Sequence, residues 1–439
     1  MDEFKALIHG KRITLMGLGL LGRGAGDAAF LSECGAHVLV TDKKTSNELA
    51  ESVDKLRGYK NIAFRLGEHR ESDFTDCDMV IKAAGVPLNS PFIKTAQDAG
   101  VPIHMSTALF AKYTPATVVG VTGTRGKSTV TQLIYEGLIH AGRRAHLGGN
   151  VRGVATLPML PETKKGDMAV LELDSWQLQG FGYLGISPNV AVFTNLMQDH
   201  LNYYATIEEY FSDKAHIFLH QKDGDTLVVG ESIFARIESV HPTIPPYVPD
   251  SIPASWHLHM LGEHNRENAS LALGVLEALS VSQDVARESI ERFPGVPGRL
   301  ELVATVNDVP IYNDGNATTP DAALAALRSF PEKHVVMIMG GTDKKIPIDA
   351  LVAEIQMRGA SIVLLDESAT GTQKCKEIFF NAPMCNSVTD ALKEALLLTR
   401  EDSVVVLSPG FSSFGILKNE YDRGDQFRDA AQSLEKTPR

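Results

Sequence analysis

The sequence has few cysteines and no long apolar run. Its 439 residues include four cysteines, none of them in a Cys-x-x-Cys pair: Cys34, Cys77, Cys375 and Cys385. This scarcity argues against a disulfide framework and against a zinc site of the Cys-x-x-Cys type. No segment approaches the ~20 consecutive apolar residues that span a bilayer, and the N-terminus MDEFKALIHGKRI lacks an apolar signal core. We therefore expect a cytoplasmic protein that is neither exported nor anchored to a membrane.

The sequence also lacks an excess of basic residues. It contains 42 Lys and Arg against 54 Asp and Glu, a formal net charge of −12. This charge argues against a surface that coats nucleic acid, so no nucleic-acid partner is expected. At ~150 residues per domain the length favours several domains, and three is the starting hypothesis.

A glycine-rich loop stands between a strand pattern and a helix pattern. In VVGVTGTRGKSTVTQLIYEGLIHAG, residues 118–142, an apolar run precedes the loop and apolar residues at helical spacing follow it. Gly120, followed by Gly126, Lys127 and Ser128, resembles the phosphate-loop pattern Gly-x-x-x-x-Gly-Lys-Ser, with five residues instead of four between the two glycines. Such a loop attracts phosphate, Lys127 can reach it, and Ser128 or Thr129 can place a hydroxyl on Mg²⁺. The stretch favours a site for ATP or another nucleoside triphosphate over a chance match.

A second glycine-rich turn lies near the N-terminus. Residues 12 to about 110 alternate strand and helix patterns, which predicts a parallel α/β sheet. The first turn, Gly-Leu-Gly-Leu-Leu-Gly at residues 17–22, is followed by a second strand that ends at Asp42. Both features match the dinucleotide fingerprint, in which glycines admit a pyrophosphate and the acidic residue binds a ribose hydroxyl. Nicotinamide, flavin or nucleoside-diphosphate binding, and a tight turn without ligand, are the open alternatives.

Two carboxylates interrupt a predicted buried strand of the central region. Glu172 and Asp174 fall in DMAVLELDSWQ, which otherwise reads as a strand covered on both faces. A carboxylate there requires a cation, either an arginine or Mg²⁺ at the strand end beside the phosphate loop, and we favour Mg²⁺. The next strand pattern ends in LMQDH with His200.

A lysine lies on the apolar face of the following predicted helix. Thr206 and Glu209 form a capping-box pattern, and an apolar stripe then runs to Phe218. Lys214 falls on that stripe. It either extends to the rim of the helix or is desolvated, with a depressed pKa and open to covalent modification. In the second case His200 is its expected neighbour.

The last part of the chain again alternates strands and helices. DTLVVG and the proline-rich HPTIPPYVPD are expected to form an appendage, and FPGVPGRL at 293–300 a hinge into a third α/β domain. Candidate ligand groups past the strand ends of that domain are Asp314, the turn at 340–344 and the loop at 408–413. Each alone is compatible with a simple turn, but three at one sheet edge favour a binding site.

In their order along the chain, the motifs resemble those of the Mur ligases from end to end. They are GLGLLG, GVTGTRGKST, GGN, LELDSWQL, TNLMQDHL, DKA, GEHNREN, PGR, YNDGNAT, GGTDKK, SPGFSSF and KNEYDRGDQF. The resemblance is strongest to the branch that adds D-glutamate to UDP-N-acetylmuramoyl-L-alanine. It implies an α/β protein of three domains: a Rossmann-like domain at 1–110 for the UDP substrate, a central P-loop ATPase-type domain at 111–296, and a Rossmann-like domain at 297–439 for the amino acid.

The resemblance also implies roles for individual residues. Those that match ATP-binding positions are Gly123, Thr124, Gly126, Lys127, Ser128, Thr129, Asn268, Arg299 and Asp314. Those that match positions for the UDP substrate are Gly19, Leu20, Leu21, Asp42, Asn150 and Gln177, and for the amino acid Lys344 and Ser413. The catalytic positions are Lys127, Glu172, His200 and Lys214. By the same resemblance Ser128 and Glu172 would hold a first Mg²⁺ and His200 a second, while Lys214 would be carbamylated and bind metal. We expect a monomer.

Four positions depart from the pattern of the D-glutamate-adding branch. Gly298 replaces a common histidine, Asn316 a lysine, Asp174 a serine and Glu420 an aromatic residue. These departures leave the amino acid open more than the reaction class. The alternatives are another Mur ligase, a folylpolyglutamate-synthase relative, an inactive binding protein on the same scaffold, and an NAD-dependent oxidoreductase that would leave Lys127 without a role.

Overall fold

The computed structural model describes residues 1–20, 22–199, 203–413, 417 and 419–435. It contains three separate β-sheets built from strands that alternate with helices, so the predicted α/β class with three sheet domains is confirmed. The chain divides into two compact units. One comprises Met1–Pro253 and Asn268–Ile290, the other Ala254–Glu267 and the chain from Glu291 onward. The passage at 293–300, predicted as a hinge, lies inside the second unit.

The N-terminal sheet is a doubly wound parallel sheet. Its strands are β1 Arg12–Met16, β2 His37–Asp42, β3 Ile62–Leu66, β4 Met79–Lys82 and β5 Ile103–His104. Its helices are α1 Asp2–Ile8, α2 Arg23–Glu33, α3 Ala50–Asp54, α4 Ser72–Thr75, α5 Pro91–Asp98 and α6 Ser106–Tyr113. The strand order is β3-β2-β1-β4-β5. The order reverses between β1 and β4, and sheets of this kind bind ligands in the crevice past the C-terminal ends of such a strand pair.

The central sheet has six parallel strands. They are β6 Thr117–Thr122, β7 Ala145–Gly149, β8 Met168–Glu172, β9 Val190–Phe193, β10 Thr226–Val229 and β11 Pro246–Tyr247, in the order β11-β10-β9-β6-β8-β7. The helices are α7 Lys127–His140, a 3-10 helix at Leu157–Glu162, α8 Ser175–Leu184, α9 Ile207–Ala215, α10 Glu231–Glu238, α11 Glu263–Ala278 and α12 Gln283–Arg292. The expectation of an appendage is wrong, because β10 pairs with β9 and continues the sheet.

The third sheet belongs to the second unit. Its strands are β12 Glu301–Val306, β13 Val309–Asn313, β14 His334–Met339, β15 Ser361–Leu365, β16 Met384–Cys385 and β17 Ser403–Leu407, in the order β12-β13-β17-β14-β15-β16. Its helices are α13 Pro320–Arg328, α14 Asp349–Arg358, α15 Thr370–Ile378, α16 Val388–Leu397 and α17 Glu420–Glu435. Of the strands described in this sheet, only the edge strand β12 is antiparallel to its neighbour. The C-terminal ends of β13, β17 and β14 therefore lie side by side.

The first two sheets share one hydrophobic core. It joins Phe4 and Phe30 of the N-terminal domain to Phe181 and Phe218 of the central domain. Residues 118–122 of β6 are all buried, as expected for a parallel strand covered by helices on both faces. Polar side chains that bind a ligand are therefore expected at the ends of such strands. No helix in the described residues has both the length and the apolar content needed to cross a membrane.

Candidate functional site

The glycine-rich loop joins the end of β6 to the start of α7. Gly123 has a φ of 141° and Gly126 a φ of 82°, a region that favours glycine. A Cβ atom on Gly123 would overlap the Thr194 hydroxyl, and one on Gly126 would overlap the side-chain oxygen of Asn268. Both glycines are therefore required by the geometry. The predicted strand, loop and helix are confirmed, and Asn268 of α11 lies against the loop.

Two lysines converge on this loop. Lys127 Nζ donates hydrogen bonds to the carbonyl oxygens of Gly123 at 3.0 Å and Thr124 at 3.1 Å. Lys214 Nζ donates to the same Gly123 oxygen at 2.9 Å and to Thr122 Oγ1 at 3.3 Å. The ring of Tyr210 lies 4.7 Å from the Lys214 ammonium. Two lysine side chains from different helices therefore flank the loop.

Lys214 is buried, with 1% of its surface exposed. Burial lowers its pKa well below the ordinary lysine value, and the charge of Lys127 lowers it further, while nearby aspartates, including Asp174 and Asp213, oppose the shift. The rim-extended alternative is wrong and the desolvated lysine is confirmed. The cap of this helix differs in detail from the prediction. Thr206 accepts from the Glu209 N–H at 3.1 Å, but the Glu209 carboxylate accepts from Ala205 rather than from Thr206.

Glu172 ends β8 beside the loop. It lies opposite Val121 in the parallel register and is 6% exposed. Within the described part of the chain its carboxylate makes no hydrogen bond or ion pair, so the arginine alternative has no support. A buried carboxylate without a protein partner is a suitable ligand for a divalent cation. Ser128 lies in the first turn of α7, and the predicted metal ligand His200 lies outside the described residues.

Asp174 caps helix α8. Its carboxylate accepts from the Gln177 N–H at 2.7 Å, and the Gln177 side chain accepts from the Asp174 N–H at 3.1 Å, which completes a capping box. Gln177 also donates to Thr107 Oγ1 of α6 at 3.0 Å. Serine and aspartate are both favoured caps, so this departure from the family pattern keeps the helix start intact while adding a negative charge.

A cavity of about 450 Å³ opens at the C-terminal ends of β1 and β4. Its walls include the predicted substrate residues Gly19, Leu20, Asp42 and Gln177. The Asp42 carboxylate accepts from the backbone N–H groups of Leu18 at 2.8 Å and Gly19 at 3.3 Å, so it orders the glycine turn. Leu21 lies outside the described residues.

Asn150 follows β7 near this cavity. Arg23, at the first position of α2 and in the cavity wall, donates to its side-chain oxygen at 2.8 Å. The Asn150 N–H donates to the carbonyl of Glu172 at 2.7 Å. Asn150 therefore connects the wall of the N-terminal cavity with the strand that carries the buried carboxylate.

Two buried ionisable residues in the same cavity escaped the sequence reasoning. Lys82 ends β4 and is 1% exposed; burial lowers its pKa to about 8, although Asp174 and Asp213 favour its charged form. Asp27 of α2 is 8% exposed; burial raises its pKa to about 6, against the influence of Ser106 and the Leu157 N–H. The sequence contains a signal for Lys82. A charged residue ends the apolar strand pattern MVIK, as Glu172 ends the strand pattern MAVLE.

The second unit contains the other predicted residues. Asp314 follows β13, and its carboxylate accepts from the Leu300 N–H at 3.2 Å and the Ser408 hydroxyl at 2.9 Å. Arg299 lies in the turn just before Leu300, where its N–H donates to the carbonyl of Val296. The turn at 340–344 follows β14 and the loop at 408–413 follows β17, so the three predicted loops do gather at one sheet edge.

Two residues that are predicted to bind the amino-acid substrate lie in these loops. Lys344 Nζ donates to Thr318 Oγ1 at 3.4 Å. Ser413 is 4% exposed, and its hydroxyl has no hydrogen-bond partner in the described residues. Two departures from the family pattern are neighbours here, since a Cβ on Gly298 would lie 2.9 Å from the Asn316 side-chain nitrogen. A larger side chain at position 298 would therefore contact the side chain at position 316.

Family models match three successive parts of the chain. The Mur ligase MurD-like N-terminal domain matches residues 11–105, the Mur ligase middle domain 121–241, and the Mur ligase glutamate ligase domain 298–411. The first match covers the domain that holds the glycine turn, and the second includes the phosphate loop and Lys214. All three follow one another in the order that the motifs predicted.

Curated proteins are similar over nearly the full length. A protein of Roseiflexus sp. (strain RS-1) named UDP-N-acetylmuramoylalanine--D-glutamate ligase is 34% identical, over 97% of this chain and 99% of the relative. Proteins of the same name from Clostridium kluyveri and Acetivibrio thermocellus are 32% and 31% identical and cover 99% of this chain and 99% of their own.

Solved structures share the fold at lower identity. The UDP-N-acetylmuramate-alanine ligase MurC of Thermotoga maritima has a TM-score of 0.62 at 20% identity, covering 96% of this chain and 99% of its own. MurF of Thermotoga maritima, solved in complex with ADP, has a TM-score of 0.59 at 15% identity, covering 98% and 96%. With relatives above 30% identity along the whole chain, the protein belongs to the Mur ligase family of ATP-dependent ligases of peptidoglycan precursors.

Proposed function

We propose that this protein joins D-glutamate to UDP-N-acetylmuramoyl-L-alanine, with ATP activating the terminal carboxylate as an acyl phosphate. The observation that carries the proposal is the phosphate loop, which Lys127 and Lys214 flank and which lies beside the Glu172 carboxylate, a group without a partner among the described residues. The names of the relatives at 30–34% identity support D-glutamate as the amino acid. The match to a MurD-like N-terminal domain supports this branch over folylpolyglutamate synthases.

The chemistry requires concentrated positive charge at the loop. A carboxylate is a poor electrophile, so its oxygen first attacks the γ-phosphorus of ATP, which gives an acyl phosphate and ADP. Lys127 neutralises the charge that develops on the transferred phosphoryl group. The amine of the amino acid then attacks the acyl carbon, the amide bond forms, and inorganic phosphate leaves. In this proposal Asn268, Arg299 and Asp314 contact ATP, together with Gly123, Thr124, Gly126 and Thr129 of the loop.

The residues around the loop fit divalent cations. Glu172 supplies a buried carboxylate with no partner in the described residues, and Ser128 supplies a hydroxyl at the start of α7. In our proposal these two hold one Mg²⁺, and His200 with Lys214 holds another. Bound Mg²⁺ would supply charge neutralisation for the phosphates.

The position of Lys214 supports its carbamylation. Its neutral amine attacks CO₂, an N–C bond forms and one proton is released, which leaves a carbamate anion; starting from the ammonium form, two protons are released in all. Its burial beside Lys127 disfavours the ammonium form, so the change relieves a charge repulsion and provides a carboxylate-like metal ligand.

The substrate positions remain predictions of the same proposal. Gly19, Leu20, Leu21 and Asp42 would hold the UDP end, with Asn150 and Gln177 along the acyl arm. Lys344 and Ser413 would hold the carboxylates of the amino acid. The domain bounds 1–110, 111–296 and 297–439, a monomeric state and a cytoplasmic location belong to this proposal as well.

The deciding experiment measures phosphate release. Purified protein is supplied with UDP-N-acetylmuramoyl-L-alanine, ATP, Mg²⁺ and one amino acid at a time. We expect release that depends on D-glutamate, and detection of the ligated product by mass. Release with a different amino acid would contradict the specificity and support another Mur ligase. Absence of release with every amino acid would contradict the ligase activity and support an inactive binding protein.

A binding experiment tests the N-terminal cavity. Titration with UDP and with NADH should give binding of UDP and none of NADH, because the proposal assigns the glycine turn to UDP. Binding of NADH in its place would favour the oxidoreductase alternative.

A further inference from the structure

Lys82 is a buried cation whose ammonium makes a single hydrogen bond to the described residues. It is the last residue of β4, opposite Met16 in the parallel register, and 1% of its surface is exposed. Its ammonium donates to the carbonyl of Val86 at 3.0 Å, and no other hydrogen bond or ion pair of this group occurs in the described residues. An ammonium has three N–H donors, so two are available to a ligand.

This arrangement is costly without a ligand. A buried ammonium requires an anionic or hydrogen-bonding partner to offset its lost hydration. Asp174 and Asp213 favour the charged form of Lys82, but neither lies within ion-pair distance in the described part of the molecule. The protein therefore keeps a positive charge in the wall of a cavity without neutralising it directly.

The residues that line the cavity with Lys82 indicate which part of a bound ligand would contact this lysine. The roughly 450 Å³ space is lined by the glycine turn and Asp42, which follow β1 and end β2, and by Thr107 of α6 and Gln177 of α8. Gln177 lies in the first turn of α8, and the cap of that helix, Asp174, is two residues beyond Glu172 at the end of β8. A ligand with its nucleotide at the glycine turn would reach the phosphate loop by passing this helix start.

We propose that Lys82 donates a hydrogen bond to an oxygen of the substrate's acyl arm, between the nucleotide and the reacting carboxylate. It would thereby favour the UDP-linked acid over the bare nucleotide. The inference rests on the proposed function and deepens it by naming a further binding residue. Asp174 supports this role by favouring the charged form of the lysine.

The test compares two ligands on three proteins. Affinities for UDP and for UDP-N-acetylmuramoyl-L-alanine are measured by calorimetry without ATP for the wild type, Lys82→Met and Lys94→Met. Lys94 is an exposed lysine of the same domain and serves as the matched control. Loss of a charge-assisted hydrogen bond predicts about a 10-fold or greater loss of affinity for the acid in Lys82→Met, with UDP affinity unchanged. Lys94→Met should bind both ligands like the wild type.

The outcomes separate this role from the proposed function. Unchanged acid binding in Lys82→Met, or equal loss for both ligands, would overturn the role of Lys82 while leaving the ligase proposal in place. Wild-type protein that binds neither ligand would overturn both. If Lys82→Met does not fold, Lys82→Gln retains a shorter neutral donor, and the same selective loss for the acid is required of it.

Discussion

Lys127 and Lys214 donate to one and the same acceptor, the carbonyl oxygen of Gly123, at 3.0 and 2.9 Å. Two positive charges this close would repel each other, and the pKa of Lys214 is accordingly lowered by burial and then by Lys127. The fold holds both side chains there, because α7 begins at the loop that follows β6 and α9 packs on α8 with its Lys214 directed at the same loop. Such a concentration of positive charge is stabilised when an anion enters.

Removal of Lys214 should abolish activity. Lys214→Ala is expected to lower kcat at least ~100-fold, because it removes the carbamate that is proposed to bind metal. Short-chain carboxylates such as acetate should restore part of the activity by replacing the carbamate. Lys222→Ala, at an exposed lysine, is the control. Full activity of the unrescued Lys214 variant in the phosphate-release assay would contradict the role.

Removal of Lys127 should affect the phosphoryl step. Lys127→Met is expected to lower kcat by ~100-fold or more, since the transferred phosphoryl group loses its charge partner. Binding of UDP, which the proposal assigns to the other glycine turn, should not change. A variant that loses UDP affinity as well would indicate a general loss of structure instead.

A methyl group at Gly123 should disturb the loop. Gly123→Ala places a Cβ on the Thr194 hydroxyl at a φ of 141°, so we expect a lower melting temperature and weaker ATP binding. Gly58→Ala is the matched control, because a Cβ there meets no atom within 4 Å and the φ is not in the left-handed region. Equal melting temperatures of the two variants would refute the steric argument.

Asp27 should make stability depend on pH. Its pKa is about 6 in the folded protein against 3.8 as the ordinary value, so its burial penalty is fully present above pH 6 and vanishes below pH 4. Asp27→Asn should therefore raise the free energy of unfolding at pH 7.5 by up to about 3 kcal/mol. The gain should disappear toward pH 4. Denaturant unfolding at both pH values checks this, and a gain independent of pH would contradict it.

Arg423 should be required for the loops of the second unit. Its guanidinium is 1% exposed and donates to the carbonyls of Gly315 at 2.8 Å and of Gly340 and Phe411 at 3.4 Å. Arg423→Met leaves these buried acceptors unpaired, so we expect a loss of about 3 kcal/mol or more in unfolding free energy. The exposed Arg328 is the control, and Arg328→Met should change stability by less than ~0.5 kcal/mol.

Patterns that are local in sequence could be read without the structure. The phosphate loop and the glycine turn were readable because loop geometry of this kind depends on adjacent residues, and Lys214 because helical periodicity assigns its face. The Mur ligase motifs also gave the three-domain α/β class. The appendage was misassigned because strand pairing between β9 and β10 is a contact between distant segments.

The sequence by itself determined the α/β class, the two glycine-rich turns, and the apolar helix face that carries Lys214, since each follows from neighbouring residues and their period. Only the tertiary structure decided that Lys127 and Lys214 share the Gly123 carbonyl, and that Lys82 lies with Asp42 and Gln177 in one cavity. These relationships join segments far apart in the chain, and the packing of helices on sheets fixes them. Burial then lowers the pKa of Lys82 and of Lys214.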